Sequence, residues 1–404
     1  MDAVEHRNGR LYLTGLAASL VGNSAMTLVA GIWVKSLTGS SARAGLVSAL
    51  TYAPSLAGPV AGLIVDRVDR RRWLVAINVV SAATILSLLG VRSANEAWLI
   101  YVAMTIYGLE SVLIDPAENA LFAEIFSERF RRAINGRRLA IQETGRLVAP
   151  LLGAGLFALT GGGAVAALDA GTFLVAATVA ARLVIPSGRG RGDRVHARRS
   201  SGLTADLTAG ARQILATDEL RRIVIAGAGV MAISAIGVAA QFSLVSAVGE
   251  RPAFLGVFSA VLGAGSIIAA LTSGRVLGRL GVRGLSLAGL IDFAAGNLLR
   301  ATGTLPLALA GTLVLGFALP WAFLAVLNLA QRETPNELQG RVSAAVTLAL
   351  FGPQAPLQAL GSVAITLTGF AGIYVGSALV TLALAAWLAT RPASVSGWSA
   401  PASR

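Results

Sequence analysis

The 404-residue sequence contains no cysteine, two histidines and a single lysine. Without cysteine there are no disulfides, thiolate metal sites, iron–sulfur clusters or cysteine nucleophiles. His6 and His196 both fall in polar segments. That leaves no basis for a histidine-rich metal centre or a serine-hydrolase triad. Lys35 follows Val34, where a phosphate-binding loop needs glycine, so the chain carries no Walker site and is not by itself an ATP-driven pump. No cofactor and no metal are expected. Charge is scarce as well, at 13% of residues against about 25% in soluble domains.

What is present is apolar. The hydrophobic set reaches 55% before 46 glycines are counted, whereas soluble domains carry about 45–50% with glycine included. Mean hydropathy is +0.72. The few charges cluster and leave apolar runs of about 20 residues, the length that crosses roughly 30 Å of hydrocarbon. The chain therefore reads as an all-α, multi-spanning membrane protein. Alternating ten-residue patterns are absent, and lipid forbids open strands.

Charge-poor runs predict twelve spans. In the first half they lie near 11–34, 44–65, 73–91, 98–122, 139–160 and 164–185. In the second half they lie near 222–247, 253–274, 284–302, 305–330, 342–367 and 370–390. The first run is too long for a signal-peptide core and is read as a retained span. With the amino terminus inside, the outer loops hold only Lys35, Arg43, Arg92, Arg251 and Arg300. Apart from Arg146 within a span, every other basic residue falls inside. This positive-inside bias predicts a cytoplasmic-membrane protein with both termini in the cytoplasm. It also absorbs the net charge of +13, pointing to anionic lipid rather than nucleic acid.

The longest soluble segment divides the chain into a six-span half, 1–185, a linker, 186–221, a second half, 222–390, and a cytoplasmic tail, 391–404. In the linker, Leu203, Leu207, Ile214 and Leu215 fall roughly on one helical face. An amphipathic helix on the inner membrane surface is expected, with a plain linker as the alternative. The halves repeat. Gly62-Leu-Ile-Val-Asp66-Arg67-Val-Asp-Arg-Arg71 aligns with Gly274-Arg-Val-Leu-Gly278-Arg279-Leu-Gly-Val-Arg283, and Asn135-Gly136-Arg137 aligns with Gln339-Gly340-Arg341. Repeated halves around a mid-membrane site are a secondary-transporter architecture. Ile223 to Ala232 imitates a dinucleotide-binding G-x-G-x-x-A, but residues 223–249 carry no charge and no βαβ context surrounds them.

The twelve spans, the six-plus-six division and the loop from Gly62 to Arg72 resemble the major facilitator superfamily. Gly62, Asp66, Arg67, Arg70 and Arg71 match its signature loop, with Asp69 in place of a frequent glycine. A narrower resemblance is to the drug-efflux branch that contains macrolide-efflux and enterobactin-exporter proteins. It rests on Gly22-Asn23 with Ala30 and Trp33, Pro116-Ala117 with Ala120, Leu168-Asp169-Ala170 with Phe173, and Gln331 through Val342. Gly145-Arg-Leu-Val-Ala149-Pro150-Leu-Leu-Gly153-Ala154 resembles the fifth-span motif of exporters, with alanine twice where glycine is usual. Small residues there also serve close helix packing without reference to export. The fourth-span arginine motif of many antiporters is missing.

The resemblance implies a monomeric, proton-coupled exporter of small amphipathic compounds. An uptake symporter of the same fold and a non-transporting scaffold or sensor are the alternatives. The loop at Gly62, Asp66, Arg67, Arg70 and Arg71 is expected to gate alternation, or merely to obey the charge bias. Arg146, with Glu143, lies inside the fifth span. A lone cation there costs about 2.5–3.5 kcal/mol on insertion scales, so Arg146 is expected to pair with Asp115 or Glu118. With no histidine in the membrane, carboxylates are the candidates for proton coupling. Asp115 and Glu118 share one helical face around Pro116, and Glu110 lies near mid-span. The resemblance places the fourth span on the cavity. Glu110, Asp115 and Glu118, with Asn23 of the first span, are therefore the candidate proton and substrate residues. Asp169 is expected near the outer face as a structural residue, and Asp292 at the periphery.

Overall fold

In the computed structural model the described residues are 2–57, 68–185, 203–335 and 338–390, and they contain no strand. Backbone N–H and C=O groups have no water to bind inside hydrocarbon, so every span must satisfy them within its own helix. The helices are α1 (Asp2–Thr38), α2 (Ser41–Tyr52), α3 (Arg70–Leu86), α4 (Ala97–Ile125), α5 (Glu128–Thr160) and α6 (Gly162–Arg182). After the linker come α7 (Leu203–Ala216), α8 (Asp218–Ile236), α9 (Val238–Ala247), α10 (Leu255–Ala301), α11 (Leu305–Arg332), α12 (Gln339–Phe351) and α13 (Gln354–Ala389). Starts are capped by side chains: Ser40 accepts from Arg43 N at 3.2 Å, Asp69 from Arg72 N at 2.9 Å, and Ser127 from Phe130 N at 3.4 Å.

Two of these helices are hairpins. α10 reverses at Gly281 (φ 68°, ψ −178°) and α13 at Gly369 (φ 67°, ψ 179°), conformations that glycine adopts without a Cβ penalty. On a straight helix Gly265 and Gly289 would stand about 36 Å apart at 1.5 Å per residue. Gly265 nevertheless packs on the Leu313 carbonyl and Gly316, and Gly289 on the Ala318 carbonyl. Likewise Gly361 meets the Ile236 carbonyl while Tyr374 lies beside Gly237. Seven described helices are long and apolar enough to cross a membrane, or eight if α8 and α9, bent by 49°, form one span. The hairpins carry two predicted spans each. The predicted second span, near 44–65, begins with α2, and its part from 58 on lies outside the described residues. The fifth corresponds to α5, whose apolar part is Val148–Thr160.

Three differences from the sequence reading have clear causes. First, α1 begins at Asp2 rather than near residue 11, because its polar extension is held in place. Asn8 exchanges hydrogen bonds with Val184 (2.7 and 3.2 Å), and Glu5 accepts from Ser127 N at 2.9 Å. Second, the seventh span breaks at Gly237. Third, α7 is a helix, but Gly210 abuts the Arg341 backbone and Ile214 is buried in the core while Leu215 is exposed. That part of its apolar face is turned onto protein.

Buried apolar clusters form within residues before 186 and within residues after 202, and one cluster joins the two. The joining cluster sits at the span ends farthest from the chain termini. There Gly31 meets Phe242, Gly45 meets Ala239 and Ser362, and Gly256 meets Ala154.

Candidate functional site

A cavity of about 200 Å³ runs from Asn23, Tyr107 and Glu110 in mid-bundle to Ile125 and Leu183 at the span ends nearest the termini. All of its lining residues precede position 186. The α4 helix supplies Glu110, Asp115 and Glu118 to its wall, with Pro116 inside the helix between the last two. All four candidate residues on α1 and α4, Asn23 included, thus face one cavity.

Each sits differently. Glu118 Oε1 accepts from Tyr12 Oη at 2.7 Å. Asp115 interacts electrostatically with Glu118 and with Arg138. Arg138 donates to Asn119 Oδ1 at 2.9 Å, and its guanidinium lies 5.3 Å from the Phe122 ring centroid and 6.0 Å from that of Tyr12. Glu110 is only 5% exposed; Thr84 Oγ1 approaches its Oε1 at 3.4 Å, and its Oε2 has no hydrogen-bond partner among the described residues. Asn23 Oδ1 is likewise buried without a partner there.

The side chains of Arg146 and Glu143 lie outside the described residues, and so does the expected pairing of Arg146. The cation that the described residues bring to Asp115 is Arg138, which sequence reasoning left among the topological arginines of the inner loop. Tyr12 and Tyr107 were missed too, since nothing local distinguishes a cavity tyrosine from an interfacial one. Asp169, expected as a structural residue, is fully buried inside the bundle and pressed against Gly22, with Thr172 Oγ1 approaching its Oδ1 at 3.4 Å. Close α1–α6 approach, permitted by Gly22, draws it in.

Of the signature loop, Gly62, Asp66 and Arg67 lie outside the described residues. Arg70 forms a salt bridge with Glu124 at the end of α4, and Arg71 donates to the Leu183 carbonyl at 3.4 Å. Both contacts stay within the first half. The repeat is visible here in atomic detail. Arg283, aligned with Arg71, donates to the Leu388 carbonyl, so in each half this arginine binds a carbonyl at the end of the half's last helix. Helix C-termini offer such carbonyls together with the negative end of the dipole. In the fifth-span motif, Gly145 packs on Leu20 and Gly153 on Ala25, both of α1, while the Pro150 carbonyl lies near Gly256.

A helical bundle of repeated span pairs, closed at one end and enclosing a carboxylate-lined cavity, is the build of a polytopic membrane transporter. The chain belongs to the Major Facilitator Superfamily, whose family model matches residues 11–355. It is 24% identical over 184 residues to macrolide efflux protein A of Streptococcus pyogenes, covering 45% of each chain. It is 29% identical over 122 residues to the uncharacterized MFS-type transporter YfiS of Bacillus subtilis strain 168, covering 30% of this chain and 28% of that one. The chain thus spans less than half the length of these relatives in each match. The fold is similar to the crystal structure of the nucleoside transporter NupG, with a TM-score of 0.74, 13% identity and coverage of 95% and 98% of the two chains. It is also similar to a bacterial homologue of the iron transporter ferroportin in an inward-facing state, with a TM-score of 0.71, 15% identity and coverage of 95% and 99%. Family and fold together mark the chain as a multi-pass membrane protein of a transporter family.

Proposed function

We propose that this protein exports small amphipathic compounds of drug, antibiotic or siderophore type in exchange for protons, by alternating access between two six-helix halves. The observation that carries the reading is the set of three α4 carboxylates, Glu110, Asp115 and Glu118, facing one cavity with aromatic and apolar walls. Export as the direction is supported by the relation to a macrolide efflux protein. Apolar walls suit amphipathic ligands, and a few placed polar groups orient them. A carboxylate reachable from the cavity can exchange its proton with whichever side the cavity faces. The reading places the protein in the cytoplasmic membrane as a monomer, with both termini and the 186–221 linker in the cytoplasm beside anionic lipid. In that orientation, packing at the far ends and a cavity reaching the near ends correspond to an inward-facing state. The Gly62–Arg72 loop is its gating element, Arg70 and Arg71 holding the near ends of α4 and α6 until the halves rock.

The test is substrate-driven proton flux in everted vesicles, with and without a pH gradient. Glu110→Gln, Asp115→Asn and Glu118→Gln are made singly. At least one is expected to lower coupled flux tenfold or more at normal membrane abundance. If all three exchange substrate for protons at wild-type rates, the α4 acids do not couple transport.

A further inference from the structure

At its mid-bundle end the cavity meets a group of buried oxygens from three helices: Asn23 Oδ1 of α1, Tyr107 Oη and Glu110 Oε2 of α4, and Asp169 Oδ2 of α6. None has a hydrogen-bond partner among the described residues. They belong to one neighbourhood. Asp169 Oδ1 borders Gly22, next to Asn23, and Phe173, one turn beyond Asp169, packs edge-on against Tyr107 at 5.8 Å between ring centroids. The Tyr107 hydroxyl interacts electrostatically with both carboxylates, which also feel one another. Tyr107 is 6% exposed, Glu110 5% and Asp169 0%. The further groups acting on these side chains are neutral hydroxyls: Thr27 on Tyr107, Ser81 and Thr84 on Glu110, and Thr172 on Asp169.

The balance of this cluster is unusual. Two carboxyl groups share a buried site where, among the described residues, no arginine, lysine or histidine acts on them, since Arg138 serves Asp115 and the Tyr12–Phe122 rings farther along the cavity. Buried charge without a partner is strongly disfavoured. Water would satisfy the lone pairs and leave the charge. A proton would remove the charge and leave most lone pairs unmatched. A cation does both, and a donor set made wholly of carboxylate, amide and hydroxyl oxygen is the type that binds hard cations rather than zinc or copper. Access exists, because Asn23, Tyr107 and Glu110 all line the cavity, and Asp169 lies against Gly22, next to Asn23.

We propose that Asn23, Tyr107, Glu110 and Asp169 form a binding site for a hard, oxygen-seeking cation. Two carboxylates match a divalent ion of the calcium class, and a sodium ion would leave one proton in place. Bound there, the ion ties α1, α4 and α6 together at the head of the cavity. Glu110 is common to this site and to the transport reading, but the proposal does not depend on substrate or direction.

Equilibrium binding of radioactive calcium and of radioactive sodium to the purified full-length protein in detergent, at pH 8 and without transport substrate, tests it. The wild type is expected to bind one ion per chain. Asp169→Asn and Glu110→Gln should weaken binding at least tenfold, and Tyr107→Phe at least threefold. Asp292→Asn, on the ninth span, should bind as the wild type does. If Asp169→Asn does not fold, Tyr107→Phe and Asn23→Ala carry the test, judged on protein that elutes as a single species. Binding of neither ion by the wild type, with protons alone titrating the site, overturns the proposal. So does wild-type affinity in the folded variants. Absence of proton-coupled flux in the wild type, with cation binding intact, would sink the transport reading alone.

Discussion

Gly45 offers a direct way to move the protein between its states. It lies on α2, where the first half of the chain meets the second. A Cβ built there would stand 2.6 Å from Ala239 Cβ, 2.7 Å from Ser362 Oγ and 3.0 Å from Ala239 Cα. Non-bonded carbons rest at about 3.5–4.0 Å, so Gly45→Ala demands a separation of roughly 1 Å between α2 and α9. Ala239 cannot swing away as a long side chain would, because the clash includes its own Cα. Overpacking of this kind costs about 1–3 kcal/mol. Only the arrangement with the far ends packed together carries that cost. A state in which those ends part is relieved of it. The equilibrium should therefore move by about five- to 150-fold towards the far-side-open state. The chain has no cysteine, so Arg129→Cys and Arg332→Cys, at the near-terminus ends of α5 and α11, give a unique pair for spin labels. Pulsed electron spin resonance should show a shorter-distance population rise when Gly45→Ala is added. Gly155→Ala, at a site with nothing within 4 Å of the new methyl group, should leave the distribution unchanged. Identical distributions for Gly45→Ala and the parent, at equal folded yield, would refute the reasoning.

Two further outcomes follow from the contacts. Arg71→Ala and Arg283→Ala each remove a charged donor from a helix-end carbonyl. Hydrogen bonds to charged groups are worth about 1.5–3 kcal/mol, so both should lower the thermal midpoint in detergent. Arg283 should cost more because Arg71 is exposed and its contact is long; unchanged midpoints for both would remove the equivalence of the repeats. Gly162→Ala would put a methyl group 2.1–2.4 Å from the Trp33 indole, which should destabilise by about 1–3 kcal/mol. Adding Trp33→Leu should recover part of that loss, and strictly additive effects would show that the two positions do not share the contact.

Much of the fold was legible along the chain because hydropathy is a local property and lipid leaves helices as the remaining choice for these apolar runs. The predicted twelfth span begins at 370, just past the reversal at Gly369. The predicted gap between the eighth and ninth spans, 275–283, contains the reversal at Gly281. The pairing of Arg71 with Arg283 by sequence alignment was a statement about repeats, and the equivalent carbonyl contacts give it physical form. Gathering Glu110, Asp115 and Glu118 on one wall was legible too, since they share α4.

Other features had no local signal. Helix rotation and tilt decide that Arg138 reaches Asp115, and along the sequence Arg138 is one of a row of inner-side cations. Asp169 was placed by the family resemblance, but its neighbourhood is set by how closely α1 can approach α6, and Gly22 removes the Cβ that would hold them apart. The break at Gly237 arises in the same way. Gly361 lets α13 press onto the Ile236 carbonyl, a contact between segments more than a hundred residues apart. The sequence alone therefore determined what must lie in lipid, which ends carry positive charge and which acids share a helix, because each follows from residues adjacent along one chain. The meeting of Asn23, Tyr107, Glu110 and Asp169, and the seal at the far ends, were decided only by tertiary packing, because interhelical approach depends on glycines and side-chain volumes on both partners at once.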